Sequence, residues 1–194
     1  MSLTVGLTGP SGAGKSSIKA VAENLGFKVI DCDICAREAV KKGTDGLNAL
    51  VKAFGKEILN SNSELDRAKL AKIAFSTKEN TKLLNKTLLP YIALIIRKKM
   101  TCDYILLDAP TLFESGLDKE CDKTLAVLSD KEIRLERIMQ RDGISKEAAV
   151  LRLNAGKSDD FYIKNADNII YNNTQIESFL SEAQEILKSY MKGK

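Results

Sequence analysis

Apolar residues along this chain fall in short unbroken runs separated by longer stretches with helical spacing. The runs are Leu3–Thr8, Phe27–Asp31, Tyr104–Asp108, Leu125–Leu128 and Asn168–Tyr171. Continuous rather than alternating apolar runs suit strands covered on both faces, as in a parallel sheet. Between the first two, Lys15 to Asn24 reads as a helix that stops at Gly26. Ser76 with Glu79, Ser129 with Glu132, and Thr174 with Glu177 have capping-box spacing and predict three more helix starts. The first of these leads into Leu83, Leu84, Leu88, Ile92, Ile95 and Ile96, a segment that Pro90 must kink or divide. The last opens a C-terminal helix with Ile176, Phe179, Leu180, Ala183, Ile186 and Leu187 as its core-facing stripe.

Strand and helix in alternation predict a doubly wound α/β fold, three layers deep with a five-stranded parallel sheet. No repeat or linker divides residues 1–194, so one domain is expected. The stretch from Ala36 to Met100 is too long for one crossover and reads as a helical insertion, centred on about residues 60–100. A second helical segment, rich in arginine, occupies about residues 130–160.

Composition narrows the function classes. The chain has 194 residues, 44% hydrophobic and 29% charged, with 30 Lys and Arg against 26 Asp and Glu. A net charge of +4 does not by itself point to nucleic acid. Histidine is absent, which removes His triads, His metal sites and His pH switches. No apolar run reaches the roughly 18 residues of a membrane span, and Met1-Ser2-Leu3 does not open a signal peptide. A cytoplasmic protein is expected, and there the sequons at Asn85 and Asn172 carry no meaning. Cys32, Cys35, Cys102 and Cys121 lack the second close pair or the histidines of a zinc site. They read as free thiols filling small apolar volumes, with a redox role for Cys32 and Cys35 as the alternative.

The sharpest chemical pattern is Gly9-Pro10-Ser11-Gly12-Ala13-Gly14-Lys15-Ser16, which fits G-x-x-x-x-G-K-[ST] residue for residue. Chance produces that pattern in a chain this long about once in a hundred. It also lies where the chemistry requires, after a strand and at the head of a helix. Curled backbone would point successive N–H groups at an anion, and the helix adds its positive end. Lys15 would reach the β- and γ-phosphates, and the Ser16 hydroxyl would ligate Mg²⁺. Ser17 continues the same turn. Asp108, ending the third strand, is the second candidate for the metal, against the alternative of a strand-end turn residue. The guanine motifs of GTP switches are missing, so the nucleotide expected is ATP.

Asp33 and Arg37 follow the second strand and share a helical face. Carboxyl ends of strands are where such sheets bind ligands, so Asp33 and the cradle should converge. A surface ion pair without function is the competing reading. Arg134, Arg137 and Arg141 also share one helical face, with Arg152 beyond it. They suit a lid whose guanidiniums neutralise a transferring phosphoryl group, or simply a solvated basic face.

Taken together these residues resemble the dephospho-coenzyme A kinase family over nearly the whole chain. The cradle is generic. More specific are Asp31-Cys32-Asp33-Ile34-Cys35-Ala36-Arg37, similar to D-x-D-x-x-A-R, and Pro110-Thr111-Leu112-Phe113-Glu114, similar to P-L-L-F-E. Phe54-Gly55 and Leu65-Asp66-Arg67 resemble the family's insertion, Arg137 with Gln140-Arg141-Asp142 its lid, and Ala166-Asp167 with Asn172 its last strand and loop. The resemblance implies that Asp33 orients or deprotonates a ribose 3′-hydroxyl. It further implies that Arg37, Leu112 and Glu114 line the acceptor site. Arg137, Arg141 and Asn172 would serve ATP, with Arg141 also counted among the catalytic groups beside Lys15. Three departures stand out: Leu89-Pro90 where the family has His-Pro, Asn154-Ala155-Gly156-Lys157 where a Gln is usual, and Pro10-Ser11 in the cradle.

The expected reaction is phosphoryl transfer from ATP to the 3′-hydroxyl of dephospho-CoA, with Mg²⁺, by a monomer that binds neither nucleic acid nor membrane. The competing readings are a kinase for another small acceptor such as a nucleoside monophosphate or a sugar acid, a non-catalytic nucleotide-binding regulator, and a nucleic-acid binder using the arginine helix.

Overall fold

The computed structural model describes residues 2–173 and 175–193. Five strands, β1 (Leu3–Thr8), β2 (Lys28–Asp31), β3 (Tyr104–Asp108), β4 (Lys123–Leu128) and β5 (Asn168–Tyr171), form one sheet in the order β2-β3-β1-β4-β5. The pairs β1 with β3, β1 with β4 and β4 with β5 run parallel. The helices are α1 (Lys15–Asn24), α2 (Cys32–Ala39), α3 (Asp45–Phe54), α4 (Arg67–Ala74), α5 (Lys78–Lys99), α6 (Leu112–Ser115), α7 (Lys131–Asp142), α8 (Lys146–Asn154), α9 (Asp159–Asn165) and α10 (Ile176–Lys192).

Backbone contacts divide the chain into two compact units. The first holds residues 1–30, 102–113 and 118–194, and with them the sheet. Every residue of β1 is buried, as its unbroken apolar run requires. On one face Leu3, Val5, Leu7, Leu106, Leu125, Val127 and Ile170 pack with Ile18 of α1 and Phe179, Ala183 and Leu187 of α10. On the other, Ala126 and Leu128 pack with Phe161 and Tyr162 of α9 and with Phe113. Gly26 ends α1 as expected: its N–H donates to Glu23 O at 3.0 Å and that of Phe27 to Ala22 O at 2.9 Å.

The second unit holds residues 31–101 and 114–117, which include the 60–100 stretch. Here α2 and α3 pack on α5. Pro90 lies inside α5 without dividing it, at the loss of one N–H bond to the preceding turn.

Several local expectations need correction. Helix α5 is capped by Thr77, whose hydroxyl accepts from the Asn80 N–H at 3.1 Å, not by Ser76, whose own hydroxyl donates to Ile73 O. Helix α7 starts after Asp130; the Ser129 hydroxyl instead donates to Asn172 O at 2.9 Å. Ile176 is 46% exposed and stands off the core stripe, which Tyr190 extends at the other end. The cap expected at Thr174 lies outside the described residues. Strand β4 begins two residues earlier than its apolar run because Asp167 holds its start, accepting from the Thr124 N–H and hydroxyl, each at 2.7 Å.

Candidate active site

The cradle follows β1 directly, and two glycines show why the loop has this sequence. Gly9 has φ +136° and Gly14 has φ +104°. A Cβ on Gly9 would collide with the Val127 carbonyl at the end of β4, and one on Gly14 with the Asn172 amide. Only glycine adopts these angles in that space without strain. Helix α1 then starts at Lys15 with no side chain capping it and no acidic residue in its first turn. Ser16 is exposed in that turn. The Lys15 ammonium arches over the loop and donates to Gly9 O at 2.6 Å and Pro10 O at 3.4 Å.

Asp108 pairs in register with Leu7, so the carboxylate comes to the edge where the cradle begins. It is only 8% exposed. Its Oδ2 accepts from Lys19 Nζ at 2.8 Å. Its Oδ1 is buried without a hydrogen-bond partner. An orphaned carboxylate oxygen is costly unless a further ligand satisfies it. A hydrated divalent cation is such a ligand, so the residues present fit the Mg²⁺ expected here. Among the described residues no group of three or more His, Cys, Asp or Glu side chains gathers into a cage. The metal would depend on Ser16, Asp108 and phosphate oxygens, which is how Mg²⁺ is commonly held at nucleotides.

The three arginines of α7 do three different things. Arg134 is 8% exposed and pairs with Asp159 Oδ1 at 3.3 Å, so it is neither solvated nor free for a phosphate. Arg137 holds the loop from below. Its Nη1 donates to Gly12 O at 3.4 Å and Ser129 Oγ at 3.3 Å, and its Nη2 to Asn172 O and Oδ1, both at 3.2 Å. Asn172 is buried and its amide donates to Ala13 O at 2.8 Å. Both residues therefore clamp the cradle backbone. Arg141 alone remains exposed at the loop: its Nη2 lies 3.4 Å from Ser11 Oγ. Its guanidinium also takes Asp142 as a fork, at 2.8 and 2.9 Å, and Arg152 joins the same carboxylate. That pairing holds the Asp142 carboxyl below its usual range.

Arg137→Met should lower stability by about 1–3 kcal/mol, because two loop carbonyls and Asn172 lose charge-assisted partners together. Thermal unfolding reads this directly, and an unchanged midpoint would mean that the clamp contributes nothing.

In the second unit, the aspartate that ends β2 and the one in the first turn of α2 divide their work. Asp31 caps α2, its Oδ1 accepting from the Ile34 N–H at 3.0 Å. Asp33 sits exposed in the first turn, with Arg37 exposed one turn on. Asn85 Nδ2 donates to the Glu114 carbonyl at 2.8 Å, and Glu114 Oε2 is buried without a hydrogen-bond partner. In the first unit Leu112 is fully buried, its methyls against Gly6 of β1, so it packs the sheet and offers no surface to an acceptor. All four cysteines are thiols, outside any disulfide. Cys32 and Cys35 are buried, and burial pushes the Cys35 thiol up, which disfavours the reactive thiolate. Burial likewise pushes Cys121 up to about 12.

Lys19 and Ser129 escape a motif-based reading of the site. Lys19 could have been noticed as the residue one helical turn beyond Lys15, on its face of α1.

Comparison with known proteins agrees over the whole chain. The family model for dephospho-CoA kinases matches residues 3–178. A dephospho-CoA kinase of Geobacillus kaustophilus is 40% identical, with 98% of each chain covered. Among solved structures, a dephospho-CoA kinase from Campylobacter jejuni is 30% identical at a TM-score of 0.66, covering 100% of this chain and 99% of its own. TT1252 from Thermus thermophilus is 28% identical at a TM-score of 0.80, with 97% of each chain covered.

Proposed function

The chain belongs to the dephospho-CoA kinase family, and on that premise we propose that it moves the γ-phosphoryl group of ATP to the ribose 3′-hydroxyl of dephospho-CoA, the last step of coenzyme A synthesis. The observation that carries this reading is the complete cradle, clamped by Arg137 and Asn172, with the orphaned Asp108 oxygen at its edge.

Phosphoryl transfer asks for in-line positioning and charge stabilisation more than for covalent chemistry. The loop N–H groups and Lys15 hold the β- and γ-phosphates. Ser16 and Asp108 would hold Mg²⁺, which when bound neutralises charge on the phosphate oxygens. Asp33 follows the carboxyl end of β2, and parallel-sheet proteins bind ligands at that edge. It orients the acceptor hydroxyl and takes its proton. Arg37 and Glu114 serve the acceptor. Arg141 exchanges part of its bonding to Asp142 for phosphate oxygens as the helices over 130–160 act as a lid, which keeps water from the γ-phosphate. The whole acts as one kinase domain and as a monomer. Four cysteines held as thiols accord with a reducing, cytoplasmic setting. Among the described residues no helix is long and apolar enough to cross a membrane.

The experiment is mass spectrometry of 3′-dephospho-CoA incubated with the protein, ATP and Mg²⁺, with adenylate and gluconate as competing acceptors. The expected product is dephospho-CoA heavier by one phosphate. Phosphate gained by another acceptor instead, or by none, overturns the assignment.

A further inference from the structure

We propose that Lys19 is a resident counter-cation of Asp108, which keeps free divalent metal out of the site so that metal enters only with the nucleotide. The inference rests on the reading of Asp108 as a metal-binding carboxylate and adds a residue to it. Lys19 stands four residues after Lys15 on α1, and side chains on a helix lean toward its N-terminus. That lean carries its ammonium back to the end of β3, where it meets Asp108 Oδ2 at 2.8 Å. Asp108 is nearly buried there, and its other oxygen has no hydrogen-bond partner. One carboxylate oxygen is thus taken by an internal cation and one is left for a metal's water.

Two consequences follow from removing the ammonium, and they oppose each other. Asp108 would lose an anchor, which weakens a metal site that depends on its aim. The site would also lose a positive charge within a few ångströms of the incoming cation, which strengthens it. The charge effect wins, because burial already confines the Asp108 side chain while one unit charge at 4–6 Å changes ionic equilibria by roughly tenfold or more. With Lys19 in place, Asp108 and its partner are together neutral. Only the added negative charge of bound phosphates then makes the site attractive to a divalent ion. The sparse protein ligand set points the same way, since Asp108 belongs to no group of three or more His, Cys, Asp or Glu side chains among the described residues.

The test is Mn²⁺ titration followed by electron paramagnetic resonance, with and without ADP, on the wild type, Lys19→Met and Lys19→Arg. Lys19→Met keeps the aliphatic stem, and Lys19→Gln serves as a second neutral variant if the first unfolds. The neutral variants are expected to bind Mn²⁺ about tenfold more tightly than the wild type, most visibly without ADP. Lys19→Arg should match the wild type, and adding Asp108→Asn to Lys19→Met should erase the gain. Neutral variants that bind Mn²⁺ with unchanged or weaker affinity overturn the proposal. Wild-type protein whose Mn²⁺ binding does not respond to ADP overturns instead the reading of this site as a metal–nucleotide cradle.

Discussion

Asp33→Asn lowers kcat by about 10²–10⁴-fold and leaves ADP affinity close to that of the wild type. The substitution keeps the shape of the side chain and removes only its ability to accept a proton. Folding is not at stake, because Asp33 is exposed in the first turn of α2 while the cap of that helix is Asp31. Nor does Asp33 belong to the loop that would hold the nucleotide, so ground-state binding of ADP has no reason to change. Steady-state kinetics with dephospho-CoA and calorimetry with ADP separate the two quantities. An unchanged kcat would remove Asp33 as the base. Equal losses in kcat and ADP affinity would place it with the nucleotide instead.

Strand positions were legible because a strand covered on both faces is largely apolar, and β1 and β3 begin and end with their apolar runs; β5 keeps its run at the sheet edge with only Ile170 buried. Helix starts were less so. Ser76 and Thr77 can both cap, as can Ser129 and Asp130, and local chemistry does not choose between neighbours. Tertiary bonds decide: Ser129 is drawn away to the Asn172 carbonyl, and Asn173 bonds Asp130 on both its N–H and its carboxylate. The arginines of α7 show the same limit on a larger scale. Spacing puts Arg134, Arg137 and Arg141 on one face but says nothing of depth. That face slopes from the buried Arg134, past Arg137 on the loop carbonyls, to the exposed Arg141. Leu112 misled for a related reason, since a residue inside a family motif need not face the ligand. The position of Lys19 on the Lys15 face is readable, but its pairing is not, because Asp108 lies 89 residues away and only the fold of β3 beside α1 brings them together.

Lys15→Ala should be the most damaging change to the cradle, weakening ADP binding about 10–100-fold and lowering kcat by a further 10²-fold or more. The first figure is the loss of charge-assisted hydrogen bonds to phosphate oxygens in the bound ground state. The second arises because charge on the transferring group and the leaving oxygen is redistributed in the transition state, where a fixed cation stabilises it most. Stability should hardly move. The Lys15 ammonium in the structure rests on two carbonyls of its own loop, Gly9 O and Pro10 O, and water can replace it there. The loop itself is kept in shape from the other side, by Arg137 and Asn172. Thermal unfolding without ligand, ADP calorimetry and single-turnover kinetics together distinguish this from collapse of the loop. Normal ADP affinity in a folded Lys15→Ala protein would mean that Gly9 to Ser16 is a glycine-rich turn and not a phosphate site. A large fall in the unfolding midpoint would mean that Lys15 builds the loop rather than serving what the loop holds.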